Sequence, residues 1–565
     1  MRRIAAIVIA VYLLLVFFSR FVLVELFLTR IGIPLLFAIA AGLACIGAGY
    51  LARRMRSDIA LNFVVGYPIF GTICFLVALL KISSWTMVPI VGLLGGVGAI
   101  SVAPALLPLR PGPRAGATLA LALLSIAAVI EAQAPPSTLD ELAYHLAIPW
   151  TWVKEGRAID LPLVSHSYFP LGVESGDIPF LVSLGTTDGG IASHFLHLFA
   201  AIAVVLLLLR NTKECPILTA AVVATPALAL TAGWSLVDWV LLGVSLALVN
   251  ALETDDAVTV AAALGAGILT KYTFLPIALI AIVVTRKFRG VLPGIAIGSI
   301  FFIRNLILTG NPIAPFLGAL APHVAHYRAG SFLSDYIFDG RFIDESLGAS
   351  LLMACTLTAG LLPWILLGAG LLLFFLAPSA RLLVPFFAIP AARALPPTRP
   401  MRVLIAIAVA MQLFLVAFFV DRTQAFGLLS GRLSDEKYIA EVRPSTATIA
   451  ALDAAVPPNS VTLVIGLSET YWFQHRVRGG GNFDGPRVSA YLDAGSSDAL
   501  YARLRRDGIT HVAIVATPPP TEVASKVEER DTQLSPGAQR TLSQTLDRYA
   551  RSVTQRGTAT LFALR

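Results

Sequence analysis

The sequence predicts a polytopic α-helical membrane protein of about thirteen transmembrane helices with a small C-terminal α/β domain. Three observations predict it. Residues are 57% hydrophobic and 13% charged, with a mean hydropathy of +0.79. Apolar runs of about 20 residues, the length that crosses a bilayer, recur through residue 420. From Asp421 onward the composition becomes that of a soluble domain. The net charge of +8 comes from short arginine clusters between apolar runs. Positive-inside anchoring accounts for them, and no nucleic-acid signal is present. Cys45, Cys74, Cys215 and Cys355 stand singly in apolar segments without CxxC spacing, so neither a zinc site nor a disulfide frame follows.

The start, MRRIAAIVIAVYLLLVFF, lacks a small-residue cleavage site and reads as a first membrane helix. Apolar runs place helices near 4–27, 31–51, 59–80, 86–108 and 115–133. The clusters Arg2 and Arg3, then Arg53, Arg54 and Arg56, then Arg110 and Arg114 fall on alternate loops, which puts those loops and the N-terminus in the cytoplasm. The next loop is then external. Further helices are expected to end near 209, at about 216–233 and at 235–252. Two short ones follow, joined at Lys271 as a hairpin whose turn is sunk in the outer membrane. A helix near 290–308 leads to a second external loop, and one near 349–376 returns with a kink expected at Pro363. Arg381, Arg393, Arg399 and Arg402 surround a Pro-rich segment too short to cross twice, expected as an interfacial element on the cytoplasmic face. A last helix near 401–420 exits. The transmembrane part thus covers 1–420, with large external loops at about 134–190 and 305–348. The soluble extracytoplasmic domain covers 421–565, with SVTLVIGL and THVAIVAT as buried strands and helices around 445–455, 489–506 and 537–551.

The loop after the fifth helix is a polar island, Ser137 to Glu174, rich in carboxylates, histidines and aromatics. Asp140 and Glu141 are adjacent and point about 100° apart on a helix, so they do not flank one bond as a glycosidase pair does. Asp140 is the candidate for chemistry. Glu141 is either its partner or, in Thr138-Leu-Asp-Glu141, part of a capping box. His145 lies one helical turn after Glu141, and the pair could hold a divalent cation, Mg or Mn, or make a surface hydrogen bond. No cofactor is otherwise indicated. Tyr144, Trp150 and Trp152 read as sugar- or lipid-site residues or as an aromatic belt. A cation at membrane depth needs an anion, and Lys271, Arg304 and Arg328 are candidates to meet a lipid phosphate. Arg304 and Arg328 could equally snorkel to headgroups. His323 and His326 are candidate helpers in the second loop.

DELAYHLAIPW, the SHSYFPLGVE segment ending in Glu174, DGGIASHFLHLF, the LTKYT turn and RNLILTGNPIAPF resemble, in that order, GT-C type integral membrane glycosyltransferases. Among these the protein-mannosyltransferase and aminoarabinose-transferase superfamily is the nearest group. The resemblance implies a GT-C-like fold in the cytoplasmic (inner) membrane of a bacterium. It also implies an inverting transfer of a hexosyl or pentosyl group from a polyprenyl-phosphate donor to a lipid, glycan or protein acceptor. Asp140, supported by Glu141, would be catalytic. Tyr144, His145, Glu174, Lys271, Arg304, His323 and His326 would contact substrate. Some relatives need no metal. This chain places about four helices ahead of the one that precedes the acidic loop, unlike the commonest pattern. A transporter or flippase of lipid-linked glycan, and a non-catalytic scaffold that binds lipid or glycan, are the other readings.

Overall fold

Small residues set the first packing layer. Helices Ile33–Ala52, Ile59–Ala78 and Ser84–Val102 cross so closely that a Cβ added at Gly66 would stand 1.8 Å from the Cys45 carbonyl oxygen, and one at Gly47 would stand 2.0 Å from that of Leu94. In hydrocarbon, apolar side chains gain little by leaving lipid, and close backbone approach is what joins helices.

The computed structural model describes residues 27–102, 115–212, 215–317, 347–376, 380–480, 484–515, 534–556 and 559–565. The expected helix near 4–27, the end of the one near 86–108, and His323, His326 and Arg328 lie outside the described residues. Five described helices are long and apolar enough to cross a bilayer, and seven spans result if the bent pairs Pro216–Val223 with Pro226–Gly233 and Val291–Gly298 with Ile300–Thr309 each count once. This is an integral membrane protein. The expected count of about thirteen also includes shorter apolar helices, among them Ala257–Thr270 and Phe274–Thr285. These two form the expected hairpin, with Lys271 at its turn. Loops expected to share a side do meet at one end of the bundle. Arg53 donates to Asn62 at 2.6 Å and to Thr259 at 3.3 Å, Arg56 pairs with Asp256, and Arg210 pairs with Asp58 at 2.7 Å.

Two expectations are corrected. The Pro-rich segment is not interfacial: it contains the helix Ala380–Ala392, which runs through the bundle from Arg381 beside Asp238 to Arg393 beside Glu253. Asp238 and Glu253 are the two ends of one helix, roughly 23 Å apart at 1.5 Å per residue. A 13-residue helix is too short to cross lipid, but this one is surrounded by protein, with Val384, Phe386, Phe387, Ala388 and Ile389 buried. The helix expected at 349–376 is two helices, Ala349–Cys355 and Leu361–Leu376, and Pro363 kinks neither. It sits in the first turn of the second, where its missing N–H would have had no helical partner. The polar island, expected as an external loop, does not stand free, because the C-terminal part of the chain lies on it. Trp150 Nε1 and Lys154 Nζ donate to the Phe473 carbonyl at 2.9 and 2.7 Å, and Arg478 pairs with Glu155 at 2.7 Å.

That C-terminal part holds a five-stranded sheet in the order β2-β1-β3-β5-β4. The expected strands are β1 (Val461–Ile465) and β3 (His511–Val515), which pair in parallel. β2 (Arg476–Gly479) is parallel to β1, while β4 (Ala550–Arg556) and β5 (Ala559–Leu564) close the far side antiparallel. The expected helices appear as Ser445–Ala455, the pair Gly485–Leu492 and Ser497–Arg506, and Pro536–Tyr549.

Gly66→Ala should destabilise the bundle by about 1–3 kcal/mol through overpacking against the Cys45 backbone. Thermal unfolding in detergent reads this, with Gly92→Ala, whose added Cβ would meet nothing within 4 Å, expected to leave the melting temperature unchanged.

Candidate functional site

The site begins at a widened helical turn. Glu141–His145 is a π-helix, in which the Leu146 amide donates to the Glu141 carbonyl at 3.0 Å, five residues back. The wider turn separates Glu141 from His145, which an α-helix would have stacked. Each acquires a different partner: Glu141 Oε1 lies 2.6 Å from His194 Nε2, and His145 Nδ1 lies 3.0 Å from Glu174 Oε1. Glu141 and His145 therefore each bond a different buried residue, where the sequence left open a shared cation or a surface hydrogen bond. Among the described residues, no group of three or more His, Cys, Asp or Glu side chains could hold a metal ion.

Glu141 is fully buried. Besides His194, it accepts from the amides of Ser235 at 2.7 Å and Thr138 at 3.0 Å, and from the Thr138 hydroxyl at 2.8 Å. The capping reading of the sequence describes it. Asp140, by contrast, is part-exposed, its side chain at 20% against 2% for Asp238. It pairs with Arg381. Burial works against its ionisation, and Arg381 and His145 outweigh that, holding the carboxyl well below the usual carboxylate range.

Arg381 reaches on from Asp140 to Asp238, with Nε 3.7 Å from Oδ2, and Lys271 Nζ takes the other Asp238 oxygen at 3.3 Å. Asp140, Arg381, Asp238 and Lys271 thus form one row of alternating charge, drawn from four separate stretches of chain. Of Asp140, Lys271 and Arg304, which the sequence would bring to one place, Asp140 and Lys271 are joined, through two residues that the sequence did not single out. Asp238 had a legible signal as an acid opening an apolar helix. Arg381 had none, since it reads like any membrane-flanking arginine.

Tyr144 and His166 line the row's flank. Their rings stack at 4.0 Å with 13° between planes, and Tyr144 also touches His145 at 4.2 Å between centroids. Burial pushes the His166 imidazole down to about 3, so the stacked ring is neutral near pH 7. Arg304 does not join the row. It donates to the Ser167 carbonyl at 2.8 Å and lies over the rings of Phe75 and Tyr168. Neither tryptophan lines the row: Trp152 is buried and donates to the Ile159 carbonyl at 3.0 Å, and Trp150 is tied to Phe473. A cavity of about 90 Å³ lies elsewhere, between the helix Ala147–Glu155 and β2, with Leu161, Val164 and Ile509 in its apolar lining.

No protein-family model and no curated protein matches the chain. Among solved structures, the chain is similar to ArnT from Cupriavidus metallidurans bound to undecaprenyl phosphate, at 14% identity and a TM-score of 0.46 over 79% of this chain and 96% of that one. It is also similar to the same protein in the apo state, at 13% identity and a TM-score of 0.48 over 79% and 97%. At such identity the likeness assigns no role to an individual residue.

Arg381→Met should destabilise the protein by about 3–5 kcal/mol, because two largely buried carboxylates lose a shared counter-charge. Adding Asp140→Asn should recover part of that loss in a double-mutant cycle read by thermal unfolding, whereas strict additivity would mean that the two groups do not interact.

Proposed function

We propose that the protein is an inverting glycosyltransferase that moves a sugar from a polyprenyl-phosphate donor to an acceptor hydroxyl. The observation that supports it best is the row Asp140–Arg381–Asp238–Lys271, with its part-exposed acid at one end and two cations within it. In the reaction, Asp140 accepts the proton of the acceptor hydroxyl. The hydroxyl oxygen bonds to the anomeric carbon from the face opposite the donor phosphate. The bond between that carbon and the phosphate oxygen breaks, and its electron pair leaves with the phosphate. Lys271 and Arg381 neutralise the charge that develops there.

The row explains how one acid can be both stable at rest and basic in use. While paired with Arg381, Asp140 is a weak base. A phosphate that draws Arg381 to itself loosens that pair, and Asp140 becomes more basic as the donor arrives. His145, held by Glu174, and the Tyr144–His166 stack shape the space beside it. We place the protein in the cytoplasmic membrane of a bacterium, with the site on the extracytoplasmic face and a lipid, glycan or protein as acceptor. No metal is needed for these steps.

Asp140→Asn should lower transfer by about 10²–10⁴-fold, the usual worth of a general base, with the lipid phosphate still bound. Transfer is measured in membrane vesicles against a panel of polyprenyl-phosphate sugars. Unchanged transfer would remove Asp140 from its assigned role. Lys271→Met should weaken binding of polyprenyl phosphate itself, which a filter or fluorescence titration reads directly.

A further inference from the structure

The C-terminal sheet domain meets the candidate site through backbone groups on both of its flanks. On one flank, the π turn sends the Leu146 amide to Glu141, which leaves the Leu142 carbonyl without a helical donor. The amides of Thr470 and Tyr471 donate to that carbonyl at 2.9 and 3.1 Å. On the other flank, the Ser165 amide donates to Asp484 Oδ1 at 2.9 Å. Arg487 donates to the Pro162 carbonyl at 3.2 Å and lies 5.3 Å from the centre of the Tyr168 ring.

The two flanks carry the site's rings, Tyr144 and His145 on the first and His166 on the second. From below, the membrane helices grip the second flank as well. Arg304 donates to the Ser167 carbonyl at 2.8 Å, and Asn305 to that of Tyr168 at 2.6 Å. Asp484 is only 3% exposed, and its Oδ2 has no hydrogen-bond partner among the described residues. Burial lifts its carboxyl to about 7, against the pull of Ser165 and Arg487. A carboxyl so easily neutralised holds Ser165 by shape and hydrogen bonding more than by charge.

We propose that the C-terminal domain is a fixed wall of the site, in which Asp484 and the Thr470–Tyr471 amides position the Ser165–Tyr168 and Glu141–His145 turns around the charged row. Asp484 is a positioning residue: it acts through Ser165 and His166. The inference rests on the transferase reading for its catalytic consequence and on geometry alone for the positioning.

Hydrogen exchange of the full-length protein in nanodiscs tests the positioning without any substrate. In Asp484→Ala, exchange across Ser165–Tyr168 should rise by about tenfold or more, the worth of one such bond, while β1 amides stay as they were. Asp484→Asn keeps an Oδ1 acceptor and should restore slow exchange. Transfer measured on the same variants should show kcat falling in Asp484→Ala and recovering in Asp484→Asn. Should Asp484→Ala fail to fold, Arg487→Met removes the neighbouring hold and is read the same way. Unaltered exchange at Ser165–Tyr168 would overturn the proposal, as would faster exchange with undiminished transfer. A wild-type protein inactive on every donor would sink the transferase reading and leave the exchange result to decide the wall.

Discussion

A carboxylate with no exposure at all anchors the site. Burying an ionised Glu141 costs several kcal/mol unless it is paired and hydrogen-bonded. Here His194, the Ser235 and Thr138 amides and the Thr138 hydroxyl offset that cost. These groups belong to three separate stretches of chain, so satisfying one side chain fixes the island against the helix Ile178–Asn211 and the turn that precedes Asp238–Glu253. Asp140, next in sequence, is then directed away from that knot and toward Arg381. The part-exposed acid is aimed by its fully buried neighbour.

The row that starts at Asp140 balances two acids against two cations, which is why it can sit in a largely buried place. Any anion that enters disturbs the balance. A cation must then turn from its carboxylate to the newcomer, and that carboxylate must take up a proton or another partner. The arrangement is a latent exchange of partners, and Arg381 is its pivot because it alone touches both acids. Asp238 touches both cations, so the four groups cannot re-pair one at a time.

What the sequence disclosed follows from contrast. Asp140 and Lys271 stood out because each is a charge beside long apolar runs, and the hairpin at Lys271 was implied by the sidedness of its flanks. Arg381 was hidden because depth is set by packing: a short helix inside a protein-lined bundle can carry an arginine to the site, while lipid-length rules place it at a face. Glu141 and His145 part for a local reason. The four-residue spacing means one face only in an α-helix, and nothing in ELAYH announces a π turn. In the C-terminal domain, the buried apolar runs of β1 and β3 were legible. β4, with the sequence ARSVTQR, was not, since a charged edge strand lacks the alternation that marks a half-buried one.

Helix length connects the membrane part to the wall above it. The helix Arg399–Arg422 rises roughly 36 Å over its 24 residues, while Ala257–Thr270 rises only about 21 Å over 14. Lys271 follows the shorter helix and is largely buried. A cation there would be costly beside hydrocarbon. The polar island brings its own backbone there: Tyr272, next to Lys271, donates to the Tyr168 carbonyl at 3.2 Å. The island in turn has turns whose amides and carbonyls need partners. The C-terminal domain supplies them at Leu142 and Ser165. A short helix ends in a cation, a polar loop makes its surroundings habitable for charge, and the C-terminal sheet satisfies the loop, so the charged row depends on all three.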